Sequence, residues 1–278
     1  MRQPQRTLDA SYRVRAIPAG SARYWSWLFA ATELRAPLLG IYALLAEWNA
    51  LMEPATDRSA ARIKLGWWQE EMRRLSAGAP VHPISAYLES LPRSSAVEFA
   101  PLVDAIDAAA AETNGAPLEL GADLEPHVGA LRAAPLALAS QIAGGDLDEA
   151  SLKRCTQALA VADYLARSTA HYRREVRFGH VPFAVDELLD AGIENADLSA
   201  DVAPARLESY LEQLRQRAAR SYDIAAHALP PARRAQQRHL LVLAALGLDH
   251  LQKRTPLVES RGLGNMLLAW RTARRAGK

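Results

Sequence analysis

One segment near the N-terminus constrains the fold more than any other part of the sequence. After Pro37, apolar side chains cover nearly every face of a helix: Leu38, Leu39, Ile41, Tyr42, Leu44, Leu45, Trp48, Leu51 and Met52. A helix that is hydrophobic all round must be enclosed by other elements. Pro37 suits a first helical turn, where its missing N–H would be unpaired anyway, so we predict that the helix begins at residues 35–37. We expect this helix at the centre of the fold.

The rest of the chain repeats its apolar residues with the period of a helix, and no segment alternates with the period of a strand. Hydrophobic residues make up 50% of the chain and aromatic residues only 6%; Ala and Leu dominate, which favours helix. The predicted helices cover residues 22–33, 35–52, 59–78, 96–112, 118–143, 151–178, 205–229, 233–254 and 264–275. Polar loops are predicted at 179–184 and 194–204. The sequence therefore predicts an all-α fold, a single helical bundle over residues 21–278 that follows a basic tail at 1–20.

Charge and cysteine content narrow the classes of function. The 33 basic residues nearly balance the 31 acidic ones, but arginines collect at both ends of the chain, where they could meet anionic lipid or simply face solvent. The basic stretch at 233–238 is too short to bind nucleic acid alone, so we expect no such partner. Cys155 is the only cysteine, which suits a reducing compartment. Without a signal peptide pattern or a spanning segment, we expect a cytoplasmic protein, with any membrane contact peripheral to the inner membrane.

Several segments carry a resemblance to a known family when they are taken in their order along the chain. They read RYWSWLF at 23–29, RAPLLGIYAL at 35–44, KLGWWQEEMR at 64–73, PVHPISAYL at 80–88, then Gly179, DELLDAGI at 186–193 and DL at 197–198. Together they resemble the squalene/phytoene synthase family of isoprenoid synthases, over about residues 23–270. The resemblance implies a helical bundle of the isoprenoid synthase type with a central cavity.

The resemblance also implies a site for head-to-head prenyl transfer. The family carries two DxxxD motifs on facing helices, whose i, i+4 spacing turns both carboxylates toward one cavity that holds Mg²⁺ and diphosphate. Here the first motif falls on Asn49–Glu53 and the second on His171–Glu175. These positions offer an amide, an imidazole and two glutamates. We expect Asn49 and Glu53 to face His171 and Glu175 across the cavity, with no metal cofactor unless the chain is an active Mg²⁺-dependent enzyme.

Other candidate residues each have a structural interpretation beside the functional one. Arg167, Arg173 and Arg174 could bind a phosphate directly without metal. His171 and Glu175, one turn apart, could be a metal pair, or could form a polar stripe with Asp163, Arg167 and Arg174 on a solvated or cavity-facing side. Glu70 and Glu71 resemble a general-acid pair, but adjacent helical residues diverge, and we expect surface charges that face away from the core. The aromatic residues Tyr42, Trp48, Trp67 and Trp68 either line a tunnel for an isoprenoid or belong to the core.

Two functions from different classes remain. In the first, the chain has lost catalysis and acts as a binding or assembly factor, similar to the branch of the family implicated in the assembly of respiratory complex I, with a respiratory-complex subunit or an isoprenoid lipid as partner. In the second, it is an active prenyltransferase that uses isoprenyl diphosphates in terpenoid biosynthesis at a rebuilt site.

Overall fold

The computed structural model describes residues 7–53, 56–94, 96–113, 118–144, 148–254 and 262–277. The α-helices are α1 (Ala10–Ala16), α2 (Ala22–Leu28), α3 (Thr32–Met52), α4 (Arg58–Ser76), α5 (Pro83–Ser90), α6 (Ala100–Thr113), α7 (Leu124–Val128), α8 (Ala134–Ala143), α9 (Glu149–Arg177), α10 (Val185–Asp190), α11 (Asn195–Ser199), α12 (Ala205–Ala228), α13 (Pro231–Arg234), α14 (Arg238–Gln252) and α15 (Gly262–Ala276). A 3₁₀ turn (Gly121–Asp123) precedes α7, and a π turn (Gly129–Ala133) joins α7 to α8. The described ranges contain no strand, so the predicted all-α class is confirmed.

Helix α3 lies at the centre of the bundle, as its apolar surface requires. Leu38, Ile41, Leu44 and Trp48 have no exposed surface, and α1, α2, α4, α5, α6 and α8 all pack against the helix. The predicted start is wrong by three residues, because Pro37 lies inside the helix rather than in its first turn. Proline removes only the hydrogen bond to the carbonyl four residues earlier, which here belongs to an exposed residue near the helix end and can be hydrated.

The predicted basic tail differs from the structure over its described part, residues 7–20. Asp9 caps α1 by accepting a hydrogen bond from the N–H of Ser11 at 2.8 Å. Helix α1 packs on α3, Ile17 joins the main core, and Arg15 forms an ion pair with Glu47 at 2.8 Å. The segment belongs to the bundle because it carries a cap and an apolar edge as well as its arginines.

The long helices α9 and α12 form the second part of the bundle. They run antiparallel, since Tyr222 Oη donates to Asp163 Oδ1 at 2.6 Å while the Cys155 thiol donates to the Ala225 carbonyl at 3.3 Å. Helix α14 closes over this pair, with Gly247 against the ring of Tyr222, where a Cβ atom would collide. The described residues contain no helix long and apolar enough to cross a membrane.

Several local predictions need correction. Asp57, not Ser59, caps α4, and its carboxylate accepts hydrogen bonds from two backbone N–H groups of the first turn. The stretch predicted as one helix at 118–143 is broken into a 3₁₀ turn, α7, a π turn and α8. The preceding helix, predicted to begin at residue 96, begins at Ala100 as α6. Helices α5, α10 and α11 are short and were not predicted.

Glu71 is also misplaced by the sequence prediction, because it points into the fold rather than away from it. Its side chain has no exposed surface, and its Oε1 accepts the backbone N–H groups of Val81 and His82 at 3.0 and 2.8 Å. Arg74 donates to the other carboxylate oxygen at 3.0 Å. Burial would raise the pKa of Glu71, but these hydrogen bonds outweigh it and lower the pKa below its ordinary value. Glu71 thus fixes the turn between α4 and α5.

Replacing Glu71 with alanine should lower the free energy of unfolding by about 2–3 kcal/mol, because two partly buried backbone N–H groups and Arg74 lose the buried carboxylate that they bind. Glu70→Ala is the matched control, since Glu70 is more than half exposed and makes only surface ion pairs, at 3.5 and 3.7 Å; we expect a change within about 0.5 kcal/mol. Urea denaturation of wild type, Glu71→Ala and Glu70→Ala measures both changes in the free energy of unfolding. Equal losses in the two variants would contradict a specific role for Glu71.

Candidate functional site

A cleft opens where α3 ends, between the start of α4, the end of α6 and the C-terminal half of α9. We call it the carboxylate cleft, and its lining residues are Leu51, Met52, Glu53, Thr56, Arg58, Ala61, Glu112, Thr113, Arg167, Glu175 and His180. Its volume is about 40 Å³, enough for one or two water molecules, whereas pockets for larger organic ligands enclose roughly 300–1,000 Å³. The cleft is therefore a small site in this conformation, with both charged and apolar side chains in its lining.

The two segments that the resemblance matches to the aspartate motifs, residues 49–53 and 171–175, meet at this cleft through their last residues. Glu53 ends the first motif and Glu175 ends the second, and both line the cleft. Arg174 joins the two motif segments, since its Nη2 donates to Glu53 Oε2 at 2.8 Å. Asn49 and His171 lie one turn earlier on their helices and are half-buried, but neither is among the lining residues. The structure thus brings one residue of each motif to the cleft, not two.

Glu175 is held by two cationic or protonatable partners. Its side chain is only 5% exposed; His180 Nδ1 lies 3.0 Å from Oε2 and Arg167 Nη1 lies 3.7 Å from Oε1. His180 comes from the loop after α9, where its backbone N–H also bonds to the Glu175 carbonyl at 3.0 Å. The loop fold therefore places the imidazole against the carboxylate.

Glu112 is the functional candidate that the sequence analysis missed. It lies at the end of α6, where its carboxylate is 3.1 Å from His127 Nε2 and 3.5 Å from Arg167 Nη2. Burial would raise the pKa of Glu112, but the His127 hydrogen bond and the charges of Arg167 and Arg132 lower it to about 2. An acidic residue in the last turn of a helix opposes the helix dipole, and this was the one signal in the sequence that pointed to a tertiary partner.

Arg167 is shared between the two buried glutamates. Its two terminal nitrogens serve one carboxylate each, at 3.5 and 3.7 Å, and these distances are longer than hydrogen bonds. Its Nε and Nη2 are buried without a hydrogen-bond partner in the described structure. Among the predicted phosphate-binding residues, Arg167 lies in the cleft, whereas Arg174 lies at its exposed edge and Arg173 instead bonds to Tyr172 and to the carbonyls of Ala200 and Asp201.

Deeper in the bundle, further charged side chains surround Asp163. Burial raises the pKa of Asp163, while the hydrogen bond from Tyr222 and the charges of Arg132, Arg23 and Arg167 oppose the shift. Burial lowers the pKa of Arg132 to about 10 and that of Arg23 below its ordinary value. The centre of the fold is therefore polar beside α9, in contrast to its apolar side around α3.

The four aromatic residues predicted to line a tunnel lie away from the carboxylate cleft. Tyr42 is buried and its hydroxyl is hydrogen-bonded to Ser26 at 2.9 Å. Trp48 and Trp68 are buried edge to face at 6.1 Å, and Trp68 packs on His82 at 4.6 Å. Trp67 is 42% exposed. The structure places the first three in the apolar core around α3 and the fourth at its surface.

The cleft residues do not suit the Mg²⁺–diphosphate cluster that the resemblance implies. Mg²⁺ requires several oxygen ligands in octahedral geometry. In the described part of the chain, no group of three or more His, Cys, Asp or Glu side chains is placed to hold a metal ion. The carboxylates at the cleft are instead directed at guanidinium and imidazole groups, so this donor set does not fit the cluster.

Comparison with known proteins places the chain in a family. The family model described as squalene/phytoene synthase matches residues 18–255. The chain belongs to the squalene/phytoene synthase family. A search of the curated proteins gave no match.

Two solved structures share the fold of this family member. A dehydrosqualene synthase crystallised in complex with a ligand superposes with a TM-score of 0.68 at 13% identity, over 96% of this chain and 94% of the other. The squalene synthase HpnC from Alicyclobacillus acidocaldarius superposes with a TM-score of 0.65 at 20% identity, over 96% and 93%. The isoprenoid synthase fold predicted from the sequence is confirmed. At these identities the likeness extends to the fold alone.

Replacing Glu112 with glutamine should destabilise the protein by roughly 2–3 kcal/mol at pH 7, because Arg167 loses a buried counter-charge and the hydrogen bond with His127 loses its carboxylate. The folded-state pKa of about 2 lies below the ordinary 4.5, so Glu112 contributes stability above that ordinary value. This contribution is lost as the pH falls toward the folded pKa. The difference in the free energy of unfolding between wild type and variant should therefore become smaller as the pH falls from about 5 to about 3. Urea unfolding at several pH values measures it, and a constant gap would contradict the assignment.

Proposed function

We propose that this member of the squalene/phytoene synthase family is non-catalytic and acts as a binding or assembly factor. The observation that carries the proposal is the ion pair between Arg174 and Glu53 at 2.8 Å, which joins the two motif segments where the family would place carboxylates around a metal. A guanidinium at this place, about half exposed, opposes the binding of Mg²⁺.

Electrostatics supports this proposal. At an effective dielectric near 20, two unit charges about 4 Å apart interact by roughly 4 kcal/mol. The buried Glu175 already forms an ion pair with Arg167 and contacts the His180 imidazole, and the exposed Glu53 is paired with Arg174. Mg²⁺ would have to displace these partners while gaining only two carboxylates. The arrangement favours a metal-free cleft, in which Arg167, whose buried Nε has no hydrogen-bond partner in the described residues, suits an anionic group of a bound ligand.

The identity of the partner follows from the resemblance to the branch implicated in complex I assembly. That branch also departs from the aspartate motifs, and the same departure at Asn49 and His171 supports membership in it. We therefore propose a respiratory-complex subunit as partner, with an isoprenoid lipid as the second candidate. A cytoplasmic location with peripheral contact at the inner membrane accords with either partner.

The alternative is an active prenyltransferase, and one observation favours it. Glu53 and Glu175, the last residues of the two motifs, both line the carboxylate cleft. In that case the two glutamates would hold Mg²⁺ with the diphosphate of the substrate, after Arg174 and Arg167 turned toward the phosphate oxygens.

Wild-type protein should release no pyrophosphate from farnesyl or geranylgeranyl diphosphate in the presence of Mg²⁺, because the metal ligands are incomplete and countered by cations. A coupled pyrophosphate assay measures this release. Robust Mg²⁺-dependent release that Glu53→Gln or Glu175→Gln abolishes would replace the non-catalytic proposal with the enzyme alternative.

Restoring the motifs should produce a measurable gain in Mg²⁺ affinity. The variant combines Asn49→Asp, Ala50→Asp and His171→Asp with Arg174→Gln, which frees Glu53 from its partner. Titration calorimetry compares it with Arg174→Gln alone, the matched control that removes the cation without adding carboxylates. If both bind Mg²⁺ no better than wild type, the motif positions do not form a metal site and our placement of the motifs is wrong.

The assembly proposal predicts that a strain lacking this protein loses NADH:quinone oxidoreductase activity in its membranes. Expression of the wild-type chain should restore the activity, and Glu53→Gln and Glu175→Gln should restore it equally, since neither carboxylate performs chemistry. If both glutamine variants are present at normal protein levels but do not restore the activity, the protein acts by catalysis. Unchanged activity in the deletion strain would rule out complex I as the target.

A further inference from the structure

We propose that the outward face of α15 docks on an anionic membrane surface. The face consists of Leu263, Leu267, Trp270, Arg271, Arg274 and Arg275, and we call it the docking face. The inference deepens the proposal of peripheral membrane contact by naming the surface and the lipid chemistry. It does not depend on whether the carboxylate cleft is catalytic.

The apolar part of the docking face is exposed, and no other described segment of the chain covers it. Leu263 is 74% exposed, Leu267 45% and Trp270 43%. At about 100° per residue these three positions fall within about 60° of one another, so they form one stripe along the first half of the helix. The opposite side of α15 is buried against α14 and α2 through Asn265, Ala269, Ala273 and Ala276. The helix thus has two apolar sides, and the fold uses only one.

The basic part continues the same stripe. Arg274 lies one turn after Trp270, with its guanidinium 5.3 Å from the centre of the indole ring, and Arg271 and Arg275 lie together along one edge of the stripe. Residues 262–277 contain three arginines and no acidic residue. An apolar stripe that includes a tryptophan, bordered by arginines, matches the boundary between acyl chains and anionic headgroups. Because every charged residue of the docking face is basic, charge complementarity favours a bilayer with anionic headgroups over one without them.

A second exposed apolar pair shows why the docking face is distinctive. Ile63 and Trp67 lie one turn apart on α4 and are 76% and 42% exposed. The same helix surface carries Glu70, which is paired with Arg73 and Arg74. An anionic lipid would meet a carboxylate and already engaged cations there. In the described part of α15, by contrast, all the charges have one sign.

The experiment is sedimentation of the full-length protein with two kinds of vesicle, one of phosphatidylcholine alone and one with about a third phosphatidylglycerol. We expect binding to the anionic vesicles, reduced at about 0.5 M salt. Leu263→Ser/Leu267→Ser should weaken the partition coefficient at least about tenfold. Arg271→Gln/Arg274→Gln/Arg275→Gln should weaken it about a hundredfold, from roughly fivefold per arginine at such a surface.

Matched controls come from exposed residues elsewhere on the protein. Val202, 83% exposed in the loop before α12, supplies the apolar control Val202→Ser. Arg62→Gln/Arg154→Gln/Arg220→Gln removes the same charge from α4, α9 and α12, where these arginines are exposed. Both controls should bind the anionic vesicles within about twofold of wild type. If the arginine control loses as much vesicle binding as the α15 arginine variant, the binding depends on net charge rather than on the docking face. That result would overturn the proposal.

Two further outcomes also overturn the proposal. If wild type binds neither vesicle, the docking face is not a membrane site. If size-exclusion chromatography with light scattering shows a dimer that Leu263→Ser/Leu267→Ser dissociates, the face joins two copies of the chain. None of these results bears on pyrophosphate release or on complex I activity, so failure here and failure of the proposed function are distinguishable.

Discussion

The enclosure of α3 is the constraint on which the bundle depends. A helix whose apolar residues cover every face cannot stay at a surface, and six other helices pack against it, including α1 from the segment expected to be a tail. This enclosure leaves mainly the helix ends near solvent. The C-terminal end carries Leu51, Met52 and Glu53 into the carboxylate cleft. The position of the cleft is thus a consequence of how the core is built.

Periodicity predicted the long helices well because their pattern repeats over many turns. Helix α12 ends one residue before the prediction and α9 differs by two residues at its start, whereas short elements such as α5 and α11 have too few turns to show a period. Glu71 shows the second limit. No local pattern distinguishes it from Glu70, and its burial is decided by the backbone of Val81 and His82, ten residues away.

The candidate site was predictable only in the part that lies on the motif helices. The resemblance identified Glu53, Glu175 and Arg167, since a motif position fixes the helix and the face on which a residue lies. Glu112 and His127 come from elements whose contact with α9 depends on the tertiary fold. The pairing of Arg174 with Glu53 joins side chains 121 positions apart and could not be inferred from either motif alone.

Helix α9 also fixes the separation between the residues along it, because an α-helix rises about 1.5 Å per residue. Arg167 and Glu175 are eight positions apart, or roughly 12 Å along the axis, yet their side chains meet at 3.7 Å. Only a long side chain can cover that separation, and only a forked one can reach Glu112 with its second terminal nitrogen at the same time. A lysine at this position would present a single nitrogen and leave one of the two glutamates without its partner. The geometry of the guanidinium, rather than its charge alone, therefore links α6 to α9.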